Sequence, residues 1–182
     1  MKIFKILCLV VFSLFVAMPV MAEFYASAGM GVVKNTGNVY KDLSKEDYRT
    51  SAAYSVAFGY KLPVMDALRV EAEFLHNRAK ISHGKGNVDL NALMANGYVN
   101  FFSLLPVITP YVGAGIGYGR LESTHVMPMQ VILGVDGDIF ALPSLIASAE
   151  YRFLQTNTEA KRANEKDKYY AHILMLKLRY EF

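Results

Sequence analysis

The chain has 182 residues, of which 53% are hydrophobic and 19% charged, an apolar share above that of ordinary soluble domains. Beyond the first two dozen residues no apolar stretch approaches the roughly 18 residues that a spanning helix needs. This excludes a helical membrane protein and requires the apolar surface to be spread over many short segments. The formal charge of +3 falls to near neutral once Lys2 and Lys5 are removed, so no nucleic-acid partner is indicated.

The N-terminus carries Lys2 and Lys5, an apolar run from Ile6 to Val16, and then Met18, Pro19, Val20, Met21 and Ala22. A basic start, a short apolar core and small residues at the last and third-last positions predict a secretory signal over 1–22, cleaved after Ala22. The apolar run is too short for a membrane anchor. Cys8 lies inside it, not after a cleavage site, which argues against a lipoprotein. Cys8 is also the one cysteine of the chain, so the exported domain, 23–182, has no disulfide to rely on.

From Phe24 onward the apolar residues recur at every second position, the period of a strand. Phe24, Ala26, Ala28, Met30 and Val32 share one face of the first segment, opposite Tyr25, Ser27, Gly29 and Gly31. In the second, Ala52, Tyr54, Val56, Phe58 and Tyr60 oppose Ser51, Ser55, Gly59 and Lys61. The third sets Leu68, Val70, Ala72 and Phe74 against Arg69, Glu71, Glu73 and Asn77. The fourth sets Leu93, Ala95, Val99 and Phe101 against Asn96, Tyr98 and Asn100.

The second half continues the pattern. Val112, Ala114, Ile116 and Tyr118 oppose Tyr111 and glycines 113, 115, 117 and 119. Met129, Val131, Leu133, Val135 and Ile139 oppose Gln130, Gly134, Asp136 and Asp138. Leu145, Ala147, Ala149, Tyr151 and Phe153 oppose Ser148, Glu150 and Arg152. Last, Tyr170, Leu174, Leu176, Leu178, Tyr180 and Phe182 oppose Met175, Lys177, Arg179 and Glu181. An even number of alternating segments, each about ten residues long, is the pattern of tilted membrane strands.

The connections alternate in character. Polar ones are expected around 34–50, 78–91, 120–128 and 155–168; the three between them are short and carry Leu62-Pro63, Leu105-Pro106 and Leu142-Pro143. Proline removes a ladder donor and belongs in such turns. The fold class read from this is all-β: an eight-stranded antiparallel up-and-down transmembrane barrel of a bacterial outer membrane, with short periplasmic turns and longer external loops.

A soluble barrel would bury its apolar face. Here the polar face holds Arg69, Glu71, Glu73, Asp136, Glu150, Arg152, Lys177 and Arg179, nearly balanced in sign, which suits an internal network of paired charges. Aromatics near the segment ends suit two interfacial belts: Phe24, Tyr60, Phe101, Tyr180 and Phe182 at one rim, Tyr54, Phe74, Tyr118, Phe153 and Tyr170 at the other. A lipocalin-like soluble barrel is the rival, and a chain ending on an aromatic strand speaks against it.

The run Pro110-Tyr111-Val112-Gly113-Ala114-Gly115-Ile116-Gly117-Tyr118 resembles the central strand of the opacity-type and OmpA-like small outer-membrane barrels. Met94-Ala95-Asn96-Gly97-Tyr98 resembles the strand before it, and Tyr151-Arg152-Phe153 the Tyr-Arg-aromatic stretch of the seventh strand. Leu176, Leu178, Tyr180 and Phe182 resemble the signal read by the barrel-assembly machinery. The resemblance implies a surface antigen embedded among outer-membrane lipids and lipopolysaccharide, with a role in adhesion or contact with a host-cell surface.

Chemistry on this scaffold is sparse. His76, His83, His125 and His172 form no metal spacing, and no cofactor motif is present. His76 and His172 read as interfacial residues. A lipid A-modifying enzyme needs a serine nucleophile beside a histidine base; Ser148 and His172 have opposite parity, and Ser123 and His125 share a short loop without an orienting third group. A small solute channel along the internal charges is the other alternative, disfavoured because an eight-stranded lumen is filled by side chains. Loops on a rigid scaffold are the expected recognition surface, with Arg78, Lys80, Lys85, Lys161 and Arg162 as candidate contacts for acidic glycans.

Overall fold

The computed structural model describes residues 24–35, 51–63, 67–80, 87–102, 107–121, 124–139, 142, 144–157 and 169–182. The expected signal over 1–22 lies outside them. Eight strands run in chain order: β1 Phe24–Asn35, β2 Ser51–Lys61, β3 Leu68–Lys80, β4 Asn87–Asn100, β5 Ile108–Leu121, β6 Thr124–Asp138, β7 Leu145–Asn157 and β8 Tyr169–Glu181. Each pairs antiparallel with its neighbours in sequence, and β8 closes on β1. The closure extends to the last residue, where the Phe182 amide donates to the Phe24 carbonyl at 3.0 Å. A closed wall leaves no strand edge unpaired.

Opposed residues can be followed around the wall through Asn100, Tyr111, Gly134, Glu150, Met175, Gly31, Ala53 and Asn77 to Leu90. One circuit thus returns to β4 ten residues from its start. Such a stagger in an eight-stranded barrel inclines the strands by about 35–45° and leaves a lumen that side chains can fill.

The period-two alternation sorts side chains as expected. Met30, Val56, Leu93, Val131 and Leu176 are exposed on the outer wall, whereas Arg69, Glu73, Glu150, Arg152 and Lys177 are buried inside. Three expectations need correction. The connection expected at 120–128 is two residues long, 122–123, because β5 runs to Leu121 and β6 resumes at Thr124; Arg120 and His125 are polar yet face each other across the ladder. The connection expected at 78–91 is cut to 81–86 for the same reason, Arg78 standing opposite Asp89. Asp138, assigned to the interior, is exposed at the rim where β6 ends.

Proline also enters the wall. Pro128 sits within β6, where pairing with β5 stops at Met129 and resumes at Val126. On its other side Pro128 still faces Thr156 of β7. A residue without an N–H interrupts the ladder locally, and the rest of this long hairpin holds register.

The interior divides into two halves. Towards the short turns it is polar and charged. Towards the long connections it is an apolar plug of Val33, Ala53, Leu75, Leu90, Ala92, Met94, Val126, Leu154, Ala171, Ile173 and Met175, with Leu121 packed against it. This plug was not expected from the sequence: some of its residues, such as Met94, alternate with apolar outward neighbours, and others, such as Leu90 and Val126, lie among polar residues that read as connections.

Candidate functional site

The polar half brings together all eight of the predicted interior charges. Arg152 is at its centre and fully buried. Its Nη1 donates to Glu73 Oε1 at 2.8 Å and its Nε to Glu150 Oε2 at 2.7 Å. Glu73 also accepts from Asn96 Nδ2 at 2.8 Å and Gln130 Nε2 at 3.3 Å. Lys177 Nζ donates to Glu71 at 3.0 Å, and Tyr98 donates its hydroxyl to the same carboxylate at 3.1 Å. Nearer the short-turn rim, Asp136 receives Arg69 Nη1 at 3.1 Å, the Ser148 hydroxyl at 2.6 Å and Arg179 Nη2 at 2.9 Å.

Arg69, Arg152, Lys177 and Arg179 thus face Glu71, Glu73, Asp136 and Glu150, four charges of each sign. Burial of one unpaired ion would cost several kcal/mol, roughly, so equal numbers and short bonds are the condition for holding any of them there. The network ends at the rim in Glu181, which accepts from Arg179 Nε at 3.1 Å and Lys61 Nζ at 2.6 Å.

Tyrosines complete the layer, and their role was missed in the sequence. The Arg69 guanidinium lies between the rings of Tyr98 and Tyr111, 4.6 and 4.3 Å from their centroids. Tyr111 donates its hydroxyl to Glu150 at 2.7 Å. Space for these rings comes from glycine: Tyr25, Tyr98 and Tyr111 stand directly opposite Gly59, Gly113 and Gly134, and a Cβ on any of the three would meet the tyrosine ring. The inward parity of both residue types was visible; the cross-strand register that joins them was not.

Chemically this arrangement fills and braces the barrel. The charges lead from the short-turn rim into the mainly apolar plug, where the buried polar residues are uncharged: Ser51, Ser55, Asn77 and Thr156. Ser148 and His172 are separated as parity required: Ser148 is buried against Asp136, while His172 is on the outer wall. His125, expected in a loop, belongs to β6, and Ser123 lies outside the described residues.

The outer wall at the long-connection end carries three histidines, each hydrogen-bonded to a neighbour. Tyr118 Oη and His125 Nδ1 are 2.7 Å apart, Tyr151 Oη and His172 Nδ1 2.6 Å, and His76 Nδ1 donates to Asn91 Oδ1 at 2.7 Å. Tyr54 stacks on His76 and Tyr118 on His125, with centroids 6.5 and 5.5 Å apart. Phe153 packs on Tyr170 and His172. At the other rim Phe24 packs on Phe58 and Tyr60, and Tyr180 on Phe182. Both aromatic rims therefore form, the first enriched in imidazole. Of the expected loop contacts, Arg78 is a strand residue 3.4 Å from Asp89. The side chains of Lys80, Lys85, Lys161 and Arg162 lie outside the described residues.

No protein-family model and no curated relative matches the sequence. Among solved structures the chain is similar to Neisserial surface protein A (NspA), at 18% identity and a TM-score of 0.67, covering 88% of this chain and 99% of that one. It is also similar to Ail, the attachment invasion locus protein of Yersinia pestis (13% identity, TM-score 0.49, 87% and 99% covered). A further similar structure is the outer membrane enzyme PagL (14% identity, TM-score 0.48, 84% and 97% covered). The chain resembles NspA in fold, a small closed eight-stranded barrel like those of outer membranes.

Proposed function

We propose that this chain is an integral, non-enzymatic protein of a bacterial outer membrane, exported by the signal over 1–22 and displayed at the cell surface as an antigen. The observation that carries the reading is the inverted wall: apolar side chains outward, a charge-neutral network inward. Water would not tolerate that outer surface, whereas lipid requires it, and a closed barrel satisfies every backbone group there. Residues Leu176, Leu178, Tyr180 and Phe182 serve as the signal to the assembly machinery. The connections 36–50 and 158–168, rich in both signs of charge, are the recognition surface towards acidic glycans, lipopolysaccharide or a host cell, with Lys161 and Arg162 among the contacts.

The non-enzymatic part rests on the histidines. Among the described residues His76, His125 and His172 are bonded to Asn91, Tyr118 and Tyr151 and to no serine, and a nucleophile without a base is not activated. The charged residues give way to a mainly apolar plug in the other half of the lumen, which argues against a channel. The test is an outer-membrane fraction run with and without boiling. A band whose mobility changes on heating, shortened by trypsin on whole cells, is expected; recovery as a soluble periplasmic protein would refute the reading. Lipid A from expressing cells should keep its acyl chains unchanged by mass spectrometry, and altered chains would overturn the non-enzymatic assignment.

A further inference from the structure

We infer that the outer wall carries a binding site for the phosphorylated sugar headgroup of a lipid A-type lipid, built on a row of cross-strand neighbours from β2 to β6. The row is Tyr54, His76, Asn91, Arg120 and His125, each directly opposite the next. All five point outward, His76 half-buried and the other four exposed. With strands about 4.8 Å apart, the row is roughly 20 Å long, enough for a disaccharide with an anionic group at each end.

The chemistry along the row is that of a phosphate and sugar site. Arg120 supplies a guanidinium, the side chain best shaped for a phosphate, and among the described residues it meets no carboxylate. His76 Nδ1 meets the Asn91 side-chain carbonyl oxygen, which leaves the Asn91 amide N–H groups as the donors for a headgroup. Tyr118 Oη and His125 Nδ1 are 2.7 Å apart, which engages one ring nitrogen of His125 and, among the described residues, leaves the other for a headgroup. The Tyr54 and His76 rings, stacked at 18°, offer an apolar face to a sugar.

Two further observations select a lipid over a soluble anion. Immediately below the row, two residues further into the wall, stand Phe74, Leu93 and Met127, 45%, 63% and 51% exposed; they form an apolar floor for acyl chains attached to such a headgroup. The two rims also differ in sign. Among the described residues, outward side chains at this end include Lys34, Arg78 and Arg120 against Asp89, whereas the short-turn rim carries Asp138 and Glu181 against Lys61. That difference complements a membrane whose outer leaflet carries the phosphates.

The inference rests on the outer-membrane reading and can fail separately from it. The test is native mass spectrometry of the refolded full-length barrel released from zwitterionic micelles. The probes are bis-phosphorylated lipid A, dephosphorylated lipid A, phosphatidylglycerol and inorganic phosphate, each offered in turn. The wild type should retain bis-phosphorylated lipid A about tenfold better than the dephosphorylated form. The Arg120→Gln/His125→Gln variant should lose that preference and Arg120→Lys should keep part of it, while Asp138→Asn at the other rim changes nothing. Equal retention by wild type and the double variant would overturn the site, as would equal binding of phosphatidylglycerol or displacement by inorganic phosphate. Heat-dependent mobility, run on every sample, reports the barrel independently: its loss in the wild type would refute the membrane reading itself, and if the double variant alone lost it, the single Arg120→Gln would carry the test.

Discussion

The ring of Tyr111 covers Gly134, its directly opposed neighbour on β6, and from there its hydroxyl reaches Glu150 at 2.7 Å. A methyl group at position 134 would occupy the space of the ring, so Gly134→Ala must displace both the tyrosine and the hydrogen bond it makes. The expected cost is about 1–3 kcal/mol, the range for overpacked interiors. Gly113→Ala should behave alike through Tyr98. Gly97 is the control: a Cβ there meets nothing within 4 Å, and Gly97→Ala should leave stability unchanged. Urea unfolding in micelles, followed by heat-dependent mobility, separates the three; equal midpoints would show that the tyrosines relocate freely.

Arg152 is held by two carboxylates, Glu73 and Glu150, and none of the three reaches solvent. Arg152→Met would leave both acids buried without their principal cation. The expected loss is about 3–5 kcal/mol, that of breaking a buried ion pair from one side. The triple change Arg152→Met, Glu73→Gln, Glu150→Gln removes the stranded charges and should recover part of it. The same urea series tests this, and a triple variant no better than the single one would mean that shape, not charge balance, is what Arg152 contributes.

The strands and their faces were legible because outward and inward residues differ in polarity wherever the inside is charged: Glu71 between Val70 and Ala72 can be read in only one way. The same contrast is lost in the outer half of the barrel. Around Met94 both faces are apolar, around Leu75 and Ile173 the inward residue is the apolar one and histidine faces outward, and the plug they form could not be seen. Strand ends were lost for the converse reason. Arg120 and His125 are polar on the wall itself, and composition alone cannot distinguish a headgroup-facing strand end from a loop. The glycine–tyrosine joints and the row from Tyr54 to His125 depend on register, which the positions of the connections constrain but do not determine.

The plug makes a prediction about conduction. Leu75, Met94 and Ile173 are buried inside the wall between the charge network and the long connections, a mainly apolar layer whose buried polar groups, such as Ser55 and Asn77, are uncharged. Purified barrel in planar bilayers should give no steady conductance steps. Leu75→Ala and Ile173→Ala should each lower stability by about 2–5 kcal/mol without opening a path, since the neighbouring apolar side chains still exclude water. Reproducible steps in the wild type would show that the two halves of the lumen are connected.

Phe182 allows folding and assembly to be tested apart. Its amide closes the last rung to Phe24 at 3.0 Å, a bond that does not depend on the side chain. The ring itself is 73% exposed and touches Tyr180 edge-on, with centroids 5.4 Å apart. Phe182→Ala should therefore leave the unfolding midpoint of refolded protein within about 0.5 kcal/mol of wild type, as for an exposed position. In cells the same variant should accumulate unassembled, because the ring is proposed as part of the signal for insertion along with Leu176, Leu178 and Tyr180. Pulse-labelled membranes run without boiling measure the folded fraction over time. Assembly at the wild-type rate would remove Phe182 from that signal, and a lowered midpoint in micelles would make its contribution structural instead.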